Sequence, residues 1–410
     1  GWRNYKINAK RNNVRLYQHN ITELFNVPMP VRKHARNDIK NWRDRGVNAL
    51  PYLATIAVSH FTDEFKWYSE QWRITPQARG ALKPVNPEAY TLICPKGEGY
   101  TDWYLWNIDK MIDAIDSNGL YFDFGQPSVY LCTNTLHGCG WQDNHGVMRP
   151  SLRIRATRDM QKRIYTLLKQ KRPNGLIALH NSGGLVPAFH CLADITWNGE
   201  QTCVQMFHNG VSYNGIYEPI PFMLEQHGSI YGVPAVFIPQ FLRAIQLFDI
   251  NRYGDYNKIG WQGFSAAFHS NPEARKQTWF LSGLLTVANG TYSADWGMSG
   301  ALDGLHTMQD AIGWSDNVEF FGWYDSRNPF PMISPANAER VKASSFRGAK
   351  GWMIVAVNDS KETQQIRIAL PAEHAGKTFR MQPDDVTLSP KNGAIELELQ
   401  PSSAAFITVL

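Results

Sequence analysis

Hydrophobic positions in the first three quarters of the chain follow two periods by turns. The run 14–19 (VRLYQH) reads as a strand, and short, nearly unbroken apolar blocks occur at 48–56 (NALPYLATI), 120–124 (LYFDF) and 176–180 (LIALH), the pattern of strands buried on both faces. Between them, at 31–45, 104–115 (YLWNIDKMIDAI) and 152–171, apolar residues return every three or four positions, as on the buried stripe of a helix. Ser117-Asn118-Gly119 and Pro173-Asn174-Gly175 break two of these helices just before the next strand. Further strands are expected within 189–196 and 233–238, and a late helix at 275–288. Strand–helix alternation through residues 1–315 predicts an α/β fold, a parallel sheet closed into a (β/α)8 barrel of the TIM type.

Near residue 316 the period changes to two. The runs WMIVAVN (352–358), QIRIAL (365–370), AIELEL (394–399) and AAFITV (404–409) are divided by turns such as PKNG at 390–393. Residues 316–410 are therefore expected to form a C-terminal antiparallel β-sandwich beside the barrel.

Polar residues stand where the apolar strand runs stop: His19, Asp123, and His180-Asn181. In a barrel those strand ends form the active face. The Gly/Pro/aromatic insertions at 57–100, 125–150 and 250–272 would then wall a cleft.

Composition sharpens this reading. The chain has 14 Trp, 17 Tyr and 20 Phe in 410 residues, and many of them fall in polar, Gly-rich segments. Flat aromatic faces suit sugar rings; Trp67, Trp141 and Trp197 are the stacking candidates. A net charge of +5 with scattered Lys and Arg argues against a nucleic-acid partner. No apolar stretch approaches the ~20 residues needed to span a bilayer. The chain starts at Gly1 with neither Met nor leader, so it is expected to be a processed or excised portion of a longer protein, acting in the periplasm or outside the cell.

Asp123 ends the run LYFD, where a carboxylate is costly unless paired or used. A second polar group, LHNSGGLVPAFHCLADITWNGEQ at 179–201, supplies His180, Asn181, Asp194 and Glu200. Cleaving a glycosidic bond takes two carboxyl groups, one ionised and one protonated. Asp123 is the expected nucleophile and Glu200 the acid/base, with Asp194 as the alternate acid. His180, Asn181 and His19 would contact sugar hydroxyls, and no cofactor is expected. Asp63-Glu64 is a rival carboxylate site.

Residues 132–145 offer Cys132, His137, Cys139 and His145. Structural zinc sites commonly use short spacings such as C-x2-C, and this spacing specifies none. A Cys132–Cys139 disulfide and free thiols are the alternatives. The expectation is a cleft wall at 125–150 without a transition metal.

The ordered segments PYLATI, DEFKWYSEQWR, GLYFDFGQP, HGCGW with Asp143, Gly146 and Arg149-Pro150, R-MQKRIY, and HNSGG--PAF-CLAD---NGEQ resemble bacterial glycoside-hydrolase-like proteins. These are related to the N-terminal module grouped with glycoside hydrolase family 123, and the likeness spans roughly residues 45–300. It implies a barrel acting on carbohydrate, preceded by a β-rich domain upstream of Gly1. Characterised members of family 123 are β-N-acetylgalactosaminidases in which the substrate's acetamido group attacks beside an adjacent Asp–Glu pair. Here Asp63-Glu64 is the one such pair, in a context that departs from that motif. YFD followed by a later GE is also similar to retaining α-galactosidase-like barrels, which implies the roles assigned to Asp123 and Glu200. The remaining alternatives are a substrate-assisted N-acetylhexosaminidase, a lyase acting on uronic-acid polymers, and a non-catalytic carbohydrate-binding protein on a degenerate barrel.

Overall fold

A computed structural model describes residues 16–19, 21–24, 26–76, 90–123, 131–181, 186–198, 233, 235–237, 272–289, 291–292, 303–315, 317–335 and 339–409. The chain packs as two compact units, one of Val14–Asn198 with Tyr231–Pro234, the other containing Ala235–Leu410.

The first unit runs β1 (Leu16–His19), α1 (Ala35–Arg43), β2 (Asn48–Ala54), β3 (Ala57–Ser59), α2 (Asp63–Trp72), β4 (Tyr90–Leu92), α3 (Tyr100–Ile115) and β5 (Gly119–Asp123). It continues through β6 (Trp141–Gln142), β7 (Met148–Arg149), α4 (Ile154–Lys171), β8 (Leu176–Asn181), α5 (Pro187–His190) and β9 (Ile195–Asn198). Five strands of this unit run parallel in one sheet in the order β1-β2-β5-β8-β9, so successive strands of that sheet are neighbours. A doubly wound sheet would reverse direction at a switch point; this one does not.

Register and period fix which side chains share a face. Tyr52 pairs with Tyr121 and Ala54 with Asp123; Phe122 pairs with Leu179, and His180 with Trp197. Ala49, Leu53, Leu120, Phe122, Ile177 and Leu179 share one core with Ile39 of α1, Ile108 and Ile112 of α3, and Met160, Ile164 and Leu168 of α4. Those three helices thus cover a single face, and each large apolar side chain buried there contributes roughly 1.5–3 kcal/mol. Alternation sends Tyr52, Ala54, Tyr121, Asp123, His180 and Trp197 to the opposite face. Glycine is required where β5 begins: a Cβ on Gly119 would lie 2.7 Å from the Leu176 carbonyl oxygen.

The 189–196 expectation is corrected. Pro187 opens the short helix α5, and β9 starts only at Ile195. Pro at the first helical turn costs no hydrogen bond, and this turn takes up residues that composition alone had assigned to the strand.

In the second unit β10 (Ala235–Phe237) pairs in parallel with β11 (Thr291–Tyr292). Helices α6 (Pro272–Val287) and α7 (Asp303–Ala311) precede nine antiparallel strands, β12 (Glu319–Phe321), β13 (Met332–Ser334), β14 (Val341–Gly348), β15 (Gly351–Asn358), β16 (Gln364–Ala369), β17 (Phe379–Gln382), β18 (Val386–Leu388), β19 (Ala394–Leu399) and β20 (Ser403–Val409). They make a six-stranded sheet, β12-β14-β15-β20-β17-β18, and a three-stranded sheet, β13-β16-β19. Ile354, Ala356 and Ile407 face Ile366, Ile368, Ile395 and Leu397 in the core between the sheets. Met353, Val355, Val357 and Phe406 face outward against Trp279, Leu281, Leu284 and Leu285 of α6 and Leu305 and Met308 of α7. With both faces covered, WMIVAVN is unbroken rather than alternating. No helix of the described residues is long and apolar enough to cross a membrane.

Candidate functional site

Asp123 is the last residue of β5, on the sheet face turned away from α1, α3 and α4. Its carboxylate is held on both oxygens. The Tyr52 hydroxyl donates to Oδ2, and Oδ1 lies 3.2 Å from His180 Nδ1. Tyr121 Oη is 2.7 Å from the same nitrogen. With its proton on Nδ1, His180 donates into this pair of oxygens and fixes the carboxylate plane. His180 is almost fully buried, whereas the Asp123 side chain keeps 17% exposure. The carboxylate therefore presents an edge to solvent while its partners are locked.

Trp197 completes the group, its ring 4.9 Å from that of Tyr121 and nearly buried. The Tyr52 and Tyr121 rings lie 5.5 Å apart, tilted by 33°. The end of β2 is anchored from behind, where Tyr104 Oη donates to the Ala54 carbonyl at 3.1 Å and Tyr100 Oη to that of Thr55 at 2.8 Å. Burial pushes both of these phenols well up, so they remain neutral donors. The arrangement is an oriented carboxylate with one open edge beside aromatic surface, suited to stabilising or attacking a cationic carbon.

The sequence candidates are distributed unevenly. Asp123, His180 and Trp197 come together. Asn181 is buried at the same strand end, but alternation turns it to the opposite face from His180. Asp194 is not brought to this cluster. It precedes β9, accepts the Ile177 backbone N–H at 2.8 Å and pairs with Lys169 at 2.9 Å. Ile177 lies three positions before His180, so Asp194 stands roughly 10 Å down the strands, at their N-terminal ends. Glu200 lies outside the described residues. His19 pairs in register with Pro51, three positions before Ala54. Trp67 on α2 and Trp141 on β6 are exposed, at 85% and 57%. Asp63 and Glu64 open α2 in solvent, where Lys66 beside Asp63 holds its carboxyl below the usual range. Tyr52 and Tyr121 were missed, although each stands two positions before a mouth residue and period two puts it on the same face.

A second constellation lies in the same unit. Cys94, Cys132, His137 and Cys139 place one ligand atom each within 4.8 Å of one another. His145, in the original set, is instead an exposed residue of the β6–β7 turn, its backbone N–H donating to Asp143. Cys94, Cys132 and Cys139 are free thiols, so the Cys132–Cys139 disulfide is not formed. The Cys94 thiol, His137 and the Asn134 N–H all hydrogen-bond the Cys132 sulfur, which holds that thiol down to about 3. Cys94 is pushed up by the same bond and by burial.

No protein-family model matches the chain, and no curated protein matches it in sequence. Solved structures do match its fold. It is similar to an α-amylase from Geobacillus thermoleovorans crystallised with acarbose, at 10% identity and TM-score 0.50, over 98% of this chain and 89% of that one. It is also similar to Amy13B from Eubacterium rectale, at 10% identity and TM-score 0.51, over 97% and 88% of the two chains. These likenesses show a glycoside-hydrolase-like fold.

Proposed function

We propose that the protein is a glycoside hydrolase whose parallel sheet closes as a (β/α)8 barrel, with 316–410 as an accessory β-domain. Asp123 is its nucleophile and Glu200 its acid/base, and the substrate is an oligosaccharide, polysaccharide or glycoconjugate met in the periplasm or outside the cell. The observation that carries this reading is the fixed Asp123 carboxylate, bound by Tyr52 and His180 on the sheet face turned away from α1, α3 and α4, beside Tyr121 and Trp197. Sequential strand order, with the described helices of the first unit packed on one face, supports barrel closure. The fold shared with the acarbose-bound α-amylase supports carbohydrate as the substrate class by analogy. Asp194 is left out of the proposal because its partners are structural.

In this mechanism Asp123 attacks the anomeric carbon while Glu200 protonates the departing oxygen. A water activated by Glu200 then releases the sugar with its configuration retained. Such a pair stands about 5–5.5 Å apart, against roughly 6.5–9.5 Å for inversion. The test is a panel of aryl glycosides and natural oligosaccharides, followed by NMR of the first-formed anomer. Retained configuration, abolished by Asp123→Asn with sugar binding intact, is the expected outcome. Binding that survives Asp123→Asn, with no hydrolysis of any substrate by the native chain, would mean a carbohydrate-binding protein. An unsaturated product absorbing in the ultraviolet would mean a lyase.

A further inference from the structure

We propose that Cys94, Cys132, His137 and Cys139 form a closed, structural zinc site that anchors the loop following the Asp123 strand. This goes beyond the glycosidase reading and does not depend on it.

All four ligand atoms lie within 4.8 Å of one another, and two of the separations are close to those of tetrahedral ligands around a metal. Cys94 Sγ and Cys139 Sγ are 3.7 Å apart, and Cys132 Sγ is 3.2 Å from His137 Nε2. Zn–S and Zn–N bonds of about 2.3 and 2.0 Å at tetrahedral angles put sulfurs roughly 3.8 Å and sulfur–nitrogen pairs roughly 3.5 Å apart. A disulfide would require about 2.05 Å.

The surroundings support the same assignment. His137 Nδ1 lies 2.8 Å from the Gln71 carbonyl, so its N–H donates there and Nε2 keeps its lone pair toward the sulfurs. That is how a carbonyl fixes the tautomer of a metal-bound histidine. The Asn134 backbone N–H points at the Cys132 sulfur from 3.4 Å. Gly138 and Gly140 take φ of +67° and +85°, wrapping the chain around the ligands. A Cβ on Gly140 would meet Met148 Sδ at 2.8 Å.

Charge agrees as well. Three thiolates and a neutral imidazole around Zn2+ leave one net negative charge. The Arg153 guanidinium, buried and donating to the Ile93 carbonyl at 2.6 Å, lies near enough to act on Cys94, and the Lys96 ammonium on Cys139. With four protein ligands no coordination position stays open, so the metal is structural rather than a Lewis acid.

The four residues come from separate pieces of chain: Cys94 from the turn after β4, the others from the 3-10 turn Thr135–His137 and its flanks. Asn134 already bonds the Glu70 and Arg73 carbonyls at the end of α2, and Thr133 N bonds that of Thr75. The metal would lock this corner, which stands next in the chain after β5.

The test begins with the native chain purified without an affinity metal and assayed by elemental analysis. About one zinc per chain is expected. After removal of that zinc, Co2+ should give thiolate-to-cobalt charge transfer and the intense visible bands of tetrahedral coordination. Cys94→Ser and Cys139→Ser should each lose stoichiometric zinc, while Cys191→Ala, outside the cluster, keeps it. Should the cluster variants fail to fold, the cobalt spectrum of the native chain still decides. Native protein with all cluster thiols reactive and no bound metal, cobalt without charge transfer, or an intact mass two hydrogens light from a disulfide would each overturn the site.

Discussion

Two polar constellations in one unit are built by opposite means. At the end of β5 the side chains Tyr52, Tyr121, Asp123, His180 and Trp197 meet because strand register aligns them. Each is a short step along or across one sheet. At the corner beyond α2 the sulfurs meet because a loop folds back: Cys94 and Cys139 are 45 positions apart and share no ladder. Register is secured by the whole sheet and tolerates loss of one polar residue. A loop cluster is secured only by its own contacts, and by a metal if one binds. Substitutions in the two places should therefore fail differently.

The largest effect is expected at Asp123. Asp123→Asn removes the proposed nucleophile but keeps shape and volume, and should lower kcat by roughly 10^4-fold or more. Unfolding midpoint and zinc content should stay at native values. Both quantities are measurable on one preparation, and a large fall in stability would mean that the carboxylate holds the sheet rather than the substrate.

Cys139→Ser should show the reverse order of effects. It destabilises by more than the roughly 1–3 kcal/mol of one lost buried hydrogen bond, because all metal-bond energy goes with it. Limited proteolysis would report the change as new cleavage within 131–151. Activity should fall only as far as the loop loosens, and equal protease resistance in the variant and native chain would break the contrast.

A finer comparison lies inside the first cluster. Tyr52→Phe deletes one donor to the Asp123 carboxylate, a bond worth about 1.5–3 kcal/mol, so kcat should drop by roughly 10- to 100-fold. Tyr121→Phe, which touches His180 rather than Asp123, should cost less. If the two variants are equal, the hydroxyls act as a single network.

The sequence was legible where the period speaks and silent where the chain folds back. Asp123 and His180 stood out because each ends an apolar run, and β19, Ala394–Leu399, has the expected bounds. Tyr52 and Tyr121 were within reach, since two-residue alternation carries them to the mouth face. Asp194 was named as the alternate acid only as one of the polar residues of 179–201; with α5 ending at His190 it stands just before β9, where it binds the Ile177 N–H and Lys169. Cys94 had no local signal at all. The expectation of no metal weighed only residues 132–145, whereas the cluster also takes in Cys94 from the turn after β4. Helix α6 on the outer face of β15 likewise explains why WMIVAVN lacks the alternation of AIELEL.

The smallest effect is expected at the other end of β5, where Asp116 provides the control for Asp123. It caps α3 at φ +53° and binds Arg43 at 2.7 Å and Arg172 at 2.9 Å. The Arg43 guanidinium, with help from Arg172, holds its carboxyl below the usual carboxylate range. The folded-state pKa is thus depressed. Its stabilisation is fully present above the unfolded value of about 3.9 and is lost as pH falls through the folded value. Its side chain is 40% exposed, so screening keeps the contribution below about 1 kcal/mol. Asp116→Asn preserves tolerance for positive φ and removes only the charge. It should lower the unfolding midpoint slightly at neutral pH, converge with the native chain below about pH 4, and leave kcat unchanged. Conservation of kcat here, against its collapse at Asp123, would assign structure to the N-terminal end of the strand and chemistry to its C-terminal end, as in a barrel enzyme. A midpoint difference independent of pH would trace the effect to the helix cap instead of the ion pairs.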